Sequence, residues 1–230
     1  MPTRVERFLS HLDRLSGGIE PRFFPVESTH PGLPGVTAIV YDDVPESGML
    51  TGITYGISLA DHPVWRVGKP ELCISVKSDD LRWPLALGHI GEVQGGDNPF
   101  CYGDTINFGE RIAPDSDMTG FVLFAPAVLD RADYAGIDVG ETLPVNICGL
   151  YRSTMPSAAT STTTGSRPSG SSTGTPTTSC GRPPSDAAWP NGHVRLVRPL
   201  VNRTSCGKRP DPELRFVRTA STSKTDTGIL

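Results

Sequence analysis

Between Leu50 and Lys77 two apolar, β-rich runs flank a polar loop. In residues 51–59, Ile53, Tyr55 and Ile57 alternate with Thr54, Gly56 and Ser58. In residues 72–77, Leu72, Ile74 and Val76 keep the same period of two. A strand with one buried face has this period, because successive side chains leave opposite sides of the backbone. The loop between the runs holds Asp61, His62, Pro63, Gly68 and Pro70, which break strands and make turns. The two runs are therefore the predicted middle of a sheet.

The flanking segments supply cover and further strands. Thr3 and Glu6 have the spacing of a capping box, and Val5, Phe8, Leu9, Leu12 and Leu15 then recur at helical spacing up to Gly17-Gly18. Residues 22–26 are extended between prolines, and residues 36–41 read as a strand that Asp42-Asp43 ends in water. From Asp80 the pattern is helical again: Leu81, Pro84, Leu85, Ile90 and Val93 share one face, and Gly95-Gly96 is the stop. In residues 98–108, Gly103-Asp104 marks a tight turn into a short strand, and residues 121–124 and 143–148 look like two more buried strands. The expected fold class is α+β, a mixed β-sheet packed against helices.

Composition then divides the chain. Residues 1–151 carry 10 Lys/Arg against 21 Asp/Glu, whereas residues 152–230 carry 11 against 4, so the net charge of −4 hides two opposite halves. An acidic body repels phosphate, which argues against a nucleic-acid partner. From Arg152 to Ala188 there is no Leu, Ile, Val, Phe, Tyr or Trp. A segment of that kind cannot bury enough apolar surface to offset its conformational entropy. Residues 1–151 are thus the expected domain, and residues 152–230 an expected disordered, low-complexity C-terminal tail rich in Ser, Thr, Pro, Gly and Arg.

The motifs of common chemistries are missing. Cys73, Cys101, Cys148, Cys180 and Cys206 follow no paired spacing, and no CxxC or HxxxH arrangement offers a metal site. No cofactor is expected, since P-loop and GxGxxG patterns are absent. Charges interrupt the apolar stretch of the N-terminus and no run reaches membrane-spanning length, so a cytoplasmic, membrane-free location is the expectation. The best enzyme case is a cysteine-dependent hydrolase with Cys101 as nucleophile, His62 or His89 as base and Asp104 as orienting acid. It needs a Cys–His pair within hydrogen-bond reach, and the local signature of a known cysteine hydrolase is lacking. A non-enzyme is the preferred reading.

Several runs carry a resemblance: RFFPVES at 22–28, YGISLADHP at 55–63, PELCISV at 70–76, NPFCYGDTINFGERI at 98–112 and VLFAPAVLD at 122–130. Together they resemble the Suppressor of fused family in its bacterial single-domain form, over roughly residues 5–151. The resemblance implies an α+β domain that works by binding proteins and brings no catalytic residue with it. The animal namesake sequesters a transcription factor, and the bacterial domains include immunity proteins that neutralise toxins of competing cells. A protein partner, such as a basic toxin met by the acidic body, is what this implies. Tyr55, Asp61, His62, Trp65, Cys101, Tyr102 and Asp104, taken from these runs, are the candidate protein-binding residues, because loops held on a rigid sheet often carry function.

After Leu150-Tyr151 the chain departs from the family, whose members continue with an acidic helix and a Trp-rich closing segment. In the neighbouring reading frame, codon choices exist for Arg152 to Arg182 that encode such a segment, with a His-Gly stop and aromatic residues at its end. The expectation is a frameshift from a single-base deletion near codon 151, either in the genome, where it would leave a decayed copy of the domain, or introduced in sequencing. The coding DNA tests it directly: the required wobble bases should be found from codon 152 onward, and other bases there would refute it.

Overall fold

The computed structural model describes residues 1–154 and, for their backbone alone, residues 200–202. The tail and the frameshift expected beyond residue 151 otherwise lie outside the described residues. The first helix, α1 (Arg4–Ser16), begins with the expected capping box: Thr3 Oγ1 accepts from Glu6 N–H, and the Glu6 carboxylate accepts from Thr3 N–H. It ends at Gly17, whose φ of 69° is one that glycine adopts without strain.

The strands β1 (Arg22–Pro25), β2 (Thr37–Asp42), β3 (Met49–Tyr55) and β4 (Lys69–Lys77) form an antiparallel meander. Helix α2 (Arg82–Gln94) follows, then β5 (Thr105–Asn107), β6 (Gly120–Phe124), a single turn α3 (Arg131–Tyr134) and β7 (Val145–Ser153). Strand β8 (Leu200–Asn202) pairs with β5, and the order across the sheet is β1-β2-β3-β4-β7-β6-β5-β8. Every pairing is antiparallel except β4 with β7. The sheet is mixed and the fold is α+β, as expected.

Two readings change. Residues 57–59 do not extend the strand. They form a 3-10 turn, because Gly56 turns the backbone with a φ of 136°. A side chain at Gly56 would lie 2.9 Å from Gly35 O and from Val36 Cα, so only glycine fits this crossing. Strand β4 in turn starts at Lys69, three residues before its apolar alternation begins, because Lys69, Pro70 and Glu71 pair with β7. Hydrogen bonding to a distant strand, rather than hydrophobic period, sets that boundary.

Both faces of the sheet carry apolar side chains. Phe8 and Leu12 of α1 pack on Ile39, Ile53, Cys73 and Ile147. On the opposite face Trp83, Leu87 and Ile90 of α2 pack with Val40, Leu50, Leu72 and Ile74. Each such fully buried side chain is worth about 1.5–3 kcal/mol, so the two helices clamp the middle strands. Helix α2 approaches β3 closely enough that a Cβ on Gly52 would lie 2.5 Å from Pro84 Cβ and 3.0 Å from Pro84 Cα. Gly52→Ala should therefore cost about 1–3 kcal/mol through overpacking, read as a lower urea midpoint with an unchanged slope.

Candidate functional site

The 3-10 turn leads into the loop of residues 60–68, which carries three of the candidate residues. Asp61 is fully exposed and pairs with Lys69 Nζ at 2.8 Å, and that bond holds its carboxyl below the ordinary value. His62 Nδ1 accepts from Val64 N–H at 3.2 Å, and its ring leans on Trp65 with centroids 5.6 Å apart. Trp65 is buried and its indole N–H donates to Pro99 O at 3.0 Å. That bond ties the loop to the second candidate segment, residues 98–104.

The second segment is a tight turn built by its own side chains. Asn98 Oδ1 accepts from Phe100 N–H at 2.9 Å, and Asp104 Oδ2 accepts from Cys101 N–H at 2.9 Å. Phe100 and Gly103 both have positive φ, 52° and 89°. Asp104 is buried and holds the Cys101 backbone in place, so its role is to shape the turn. Tyr102 stands 44 % exposed, and burial of the rest, followed by Cys148, Tyr134 and Tyr151, pushes its phenol up.

Six of the seven candidates thus sit on two loops joined through Trp65 and Pro99. Tyr55 does not join them. It lies on the α1 face, with its ring 5.4 Å from that of Phe8 and Arg4 stacked above it. The hydrolase constellation is not assembled either. Cys101 is disulfide-bonded, its orienting acid is spent on a backbone amide, and His62 turns to Trp65. His89 lies within α2, where burial lowers its pKa and leaves Nε2 without a partner. The free cysteines Cys73 and Cys148 are buried, which pushes both thiols up to about 12 and away from reactivity. Among the described residues no three His, Cys, Asp or Glu side chains gather as for a metal ion.

One feature escapes sequence reading. The β4–β7 ladder ends at the pair Cys73 and Gly149, although both strands run on, to Lys77 and Ser153. A cleft of about 320 Å³ opens there, lined by Ser75, Tyr151 and the loop of residues 126–128. Phe124, Val128 and Tyr151, each more than a third exposed, form an apolar margin at this side of the sheet. The run at residues 121–124 reads as a buried strand, yet Phe124 at its end stands exposed.

No family model matches the chain. No curated protein matches it either. Among solved structures, the fold is similar to a crystal structure described as a suppressor of fused protein homolog from Neisseria gonorrhoeae FA 1090. The TM-score is 0.50 at 18 % identity, and the match covers 64 % of this chain and 76 % of that one. The likeness is one of fold. Among the described residues no helix is long and apolar enough to cross a membrane.

The turn's architecture is open to test. Asp104→Ala leaves the part-buried Cys101 amide without this acceptor and should cost about 1 kcal/mol, while Asp104→Asn, which keeps an acceptor, recovers most of it. Asp61→Ala should leave the urea midpoint unchanged, because an exposed ion pair adds little.

Proposed function

We propose that this chain is a non-catalytic protein-binding domain of the Suppressor of fused-like type, which acts as a bacterial immunity protein against a toxin. The fold likeness to the suppressor of fused homolog carries the reading. The excess of acidic side chains in residues 1–151 favours a basic partner, since charge complementarity speeds encounter and suppresses wrong pairings. The joined loops offer what a docking surface needs: exposed Asp61 and Tyr102, His62 next to Asp61 with its ring on Trp65, and Trp65 and Asp104 anchoring the backbone.

A frame change near codon 151 draws support from a separate observation. The open cleft beside β7 and its apolar margin are what a domain would retain if its closing segment were replaced. In that case the chain is a decayed copy, and its binding is weakened by the missing cover.

Co-expression of this chain with a toxin encoded beside it should protect cells, a neighbourhood without a toxin gene would count against the reading, and surface plasmon resonance should give an association rate that falls as salt rises. Tyr102→Ala should weaken binding about tenfold or more if it is a central anchor. Unchanged affinity in Tyr102→Ala and Asp61→Ala, together with no salt dependence, would remove these loops from the interface.

A further inference from the structure

Glu71 lies in β4 with none of its surface exposed. Carboxylates are rarely buried this deeply without a charged partner. The four contacts on its oxygens are all donors: Thr54 Oγ1–H at 2.7 Å, Gly56 N–H at 3.0 Å, Ser58 N–H at 3.1 Å and the Ser58 hydroxyl. Ser58 Oγ accepts in turn from Arg4 Nη2 at 2.7 Å, and the same nitrogen reaches Ser58 O at 3.2 Å. A hydroxyl that accepts from a guanidinium directs its own hydrogen elsewhere, here onto Glu71. The cation in the first turn of α1 therefore acts on a buried carboxylate through a single hydroxyl.

The surrounding groups are few. Arg4 Nε lies 2.9 Å from Glu141, and its guanidinium is 5.4 Å from the centre of the Tyr55 ring. From β7, Cys148 feels the Glu71 charge, but burial keeps that thiol protonated. On β4 itself Lys69 is taken up by Asp61.

We propose that Glu71, Ser58 and Arg4 form a proton-sensitive latch that ties the first turn of α1 to the 60–68 loop. An ionised Glu71 satisfies all four donors. A protonated Glu71 must donate its own hydrogen, and the acceptors within reach are the two hydroxyls that donate to it, each already using one of its two lone pairs, Thr54 for Leu72 N–H at 2.8 Å and Ser58 for Arg4. Protonation therefore reverses one of these two hydroxyl bonds, and a Ser58 hydroxyl that takes the proton turns its own hydrogen off Glu71 and no longer couples Arg4 to a carboxylate charge. The 3-10 turn, held by those bonds, leads directly into the loop that carries Asp61, His62 and Trp65, and the slack passes there.

Burial is the largest influence on the Glu71 carboxyl and raises it above its ordinary 4.5, while Ser58, Thr54 and the Gly56 and Ser58 amides pull it back. A folded-state value above the unfolded one means that the fold takes up the proton more readily in the window above 4.5. This group's contribution to global stability thus rises as pH falls through that window and declines as pH rises through the folded value. The loosening is local and is distinct from acid unfolding.

Two-dimensional NMR of the free protein, titrated from about pH 8 to about pH 4.5, tests the latch through the Gly56 and Ser58 amide protons and Arg4 Nε–H. The expected result is one shared inflection above 4.5, with exchange protection of residues 57–60 falling several-fold on its acid side. Glu71→Gln should abolish the inflection and hold those amides at the acid level of protection at every pH. Ser58→Ala should keep the inflection at Gly56 and remove it from Arg4. An inflection that survives Glu71→Gln, or an Arg4 signal that still follows Gly56 in Ser58→Ala, would overturn the proposal. Where either variant fails to fold, the wild-type titration decides alone: without a shared inflection at Gly56, Ser58 and Arg4 the latch is refuted. No partner enters the measurement, so its outcome is separate from that of the protein-binding reading.

Discussion

Strand β4 must be covered on both faces, and most of the structure follows from that requirement. Leu72, Ile74 and Val76 point to the α2 side, Cys73 to the α1 side, and none of them is more than 3 % exposed. An antiparallel neighbour needs no crossover, and β3 is joined to β4 by the 3-10 turn and the loop of residues 60–68. A parallel neighbour needs a long crossover, here residues 78–144, which carries α2, β5, β6 and α3 before β7 returns to lie beside β4. The crossover thus supplies both the covering helix and the other half of the sheet.

The loops at the margins of this core are held by buried carboxylates rather than by apolar contacts alone. Glu71 gathers the backbone amides of Gly56 and Ser58, and Asp104 gathers that of Cys101. Glu92, buried on α2, accepts from Thr29 N–H and from the Thr29 hydroxyl at 2.9 Å, while its carbonyl meets His30 Nε2 at 2.9 Å. Burying a carboxylate is costly unless its oxygens are saturated with donors. Glu71 meets that condition with four donors on its two oxygens, and all three carboxylates tie a turn or loop to the core. A binding surface made of such loops loses little entropy on docking.

Cover is uneven across the sheet. Helix α1 lies over the meander strands, and Ile137, Val139 and Tyr134 extend that layer to the start of β7. Beyond Gly149 the layer ends, and the cleft, Phe124 and Tyr151 are left open. An apolar margin beside a parallel pair that stops early is the least complete part of the described structure. It is the part that the frame-change reading accounts for as a missing contact, whereas the protein-binding reading rests on the loops of residues 60–68 and 98–104.

What the sequence by itself determined was local. The capping box at Thr3 and Glu6, the helical recurrence of Phe8 and Leu12, the alternation of Leu72, Ile74 and Val76, and the Gly103-Asp104 turn all depend on residues within a few positions of each other. Tertiary structure decided the rest, because the deciding contacts span tens of residues. Ile53 and Ile57 fall into opposite core layers since Gly56 must cross Val36 without a side chain. Trp65 becomes a tether between two loops through a carbonyl 34 residues away. Glu71, placed by its period on a face that the alternation did not mark as polar or apolar, becomes the buried acceptor for a turn 13 to 17 residues earlier. Periodicity encodes which side of a strand a residue occupies; which distant donors meet it there depends on how the chain closes.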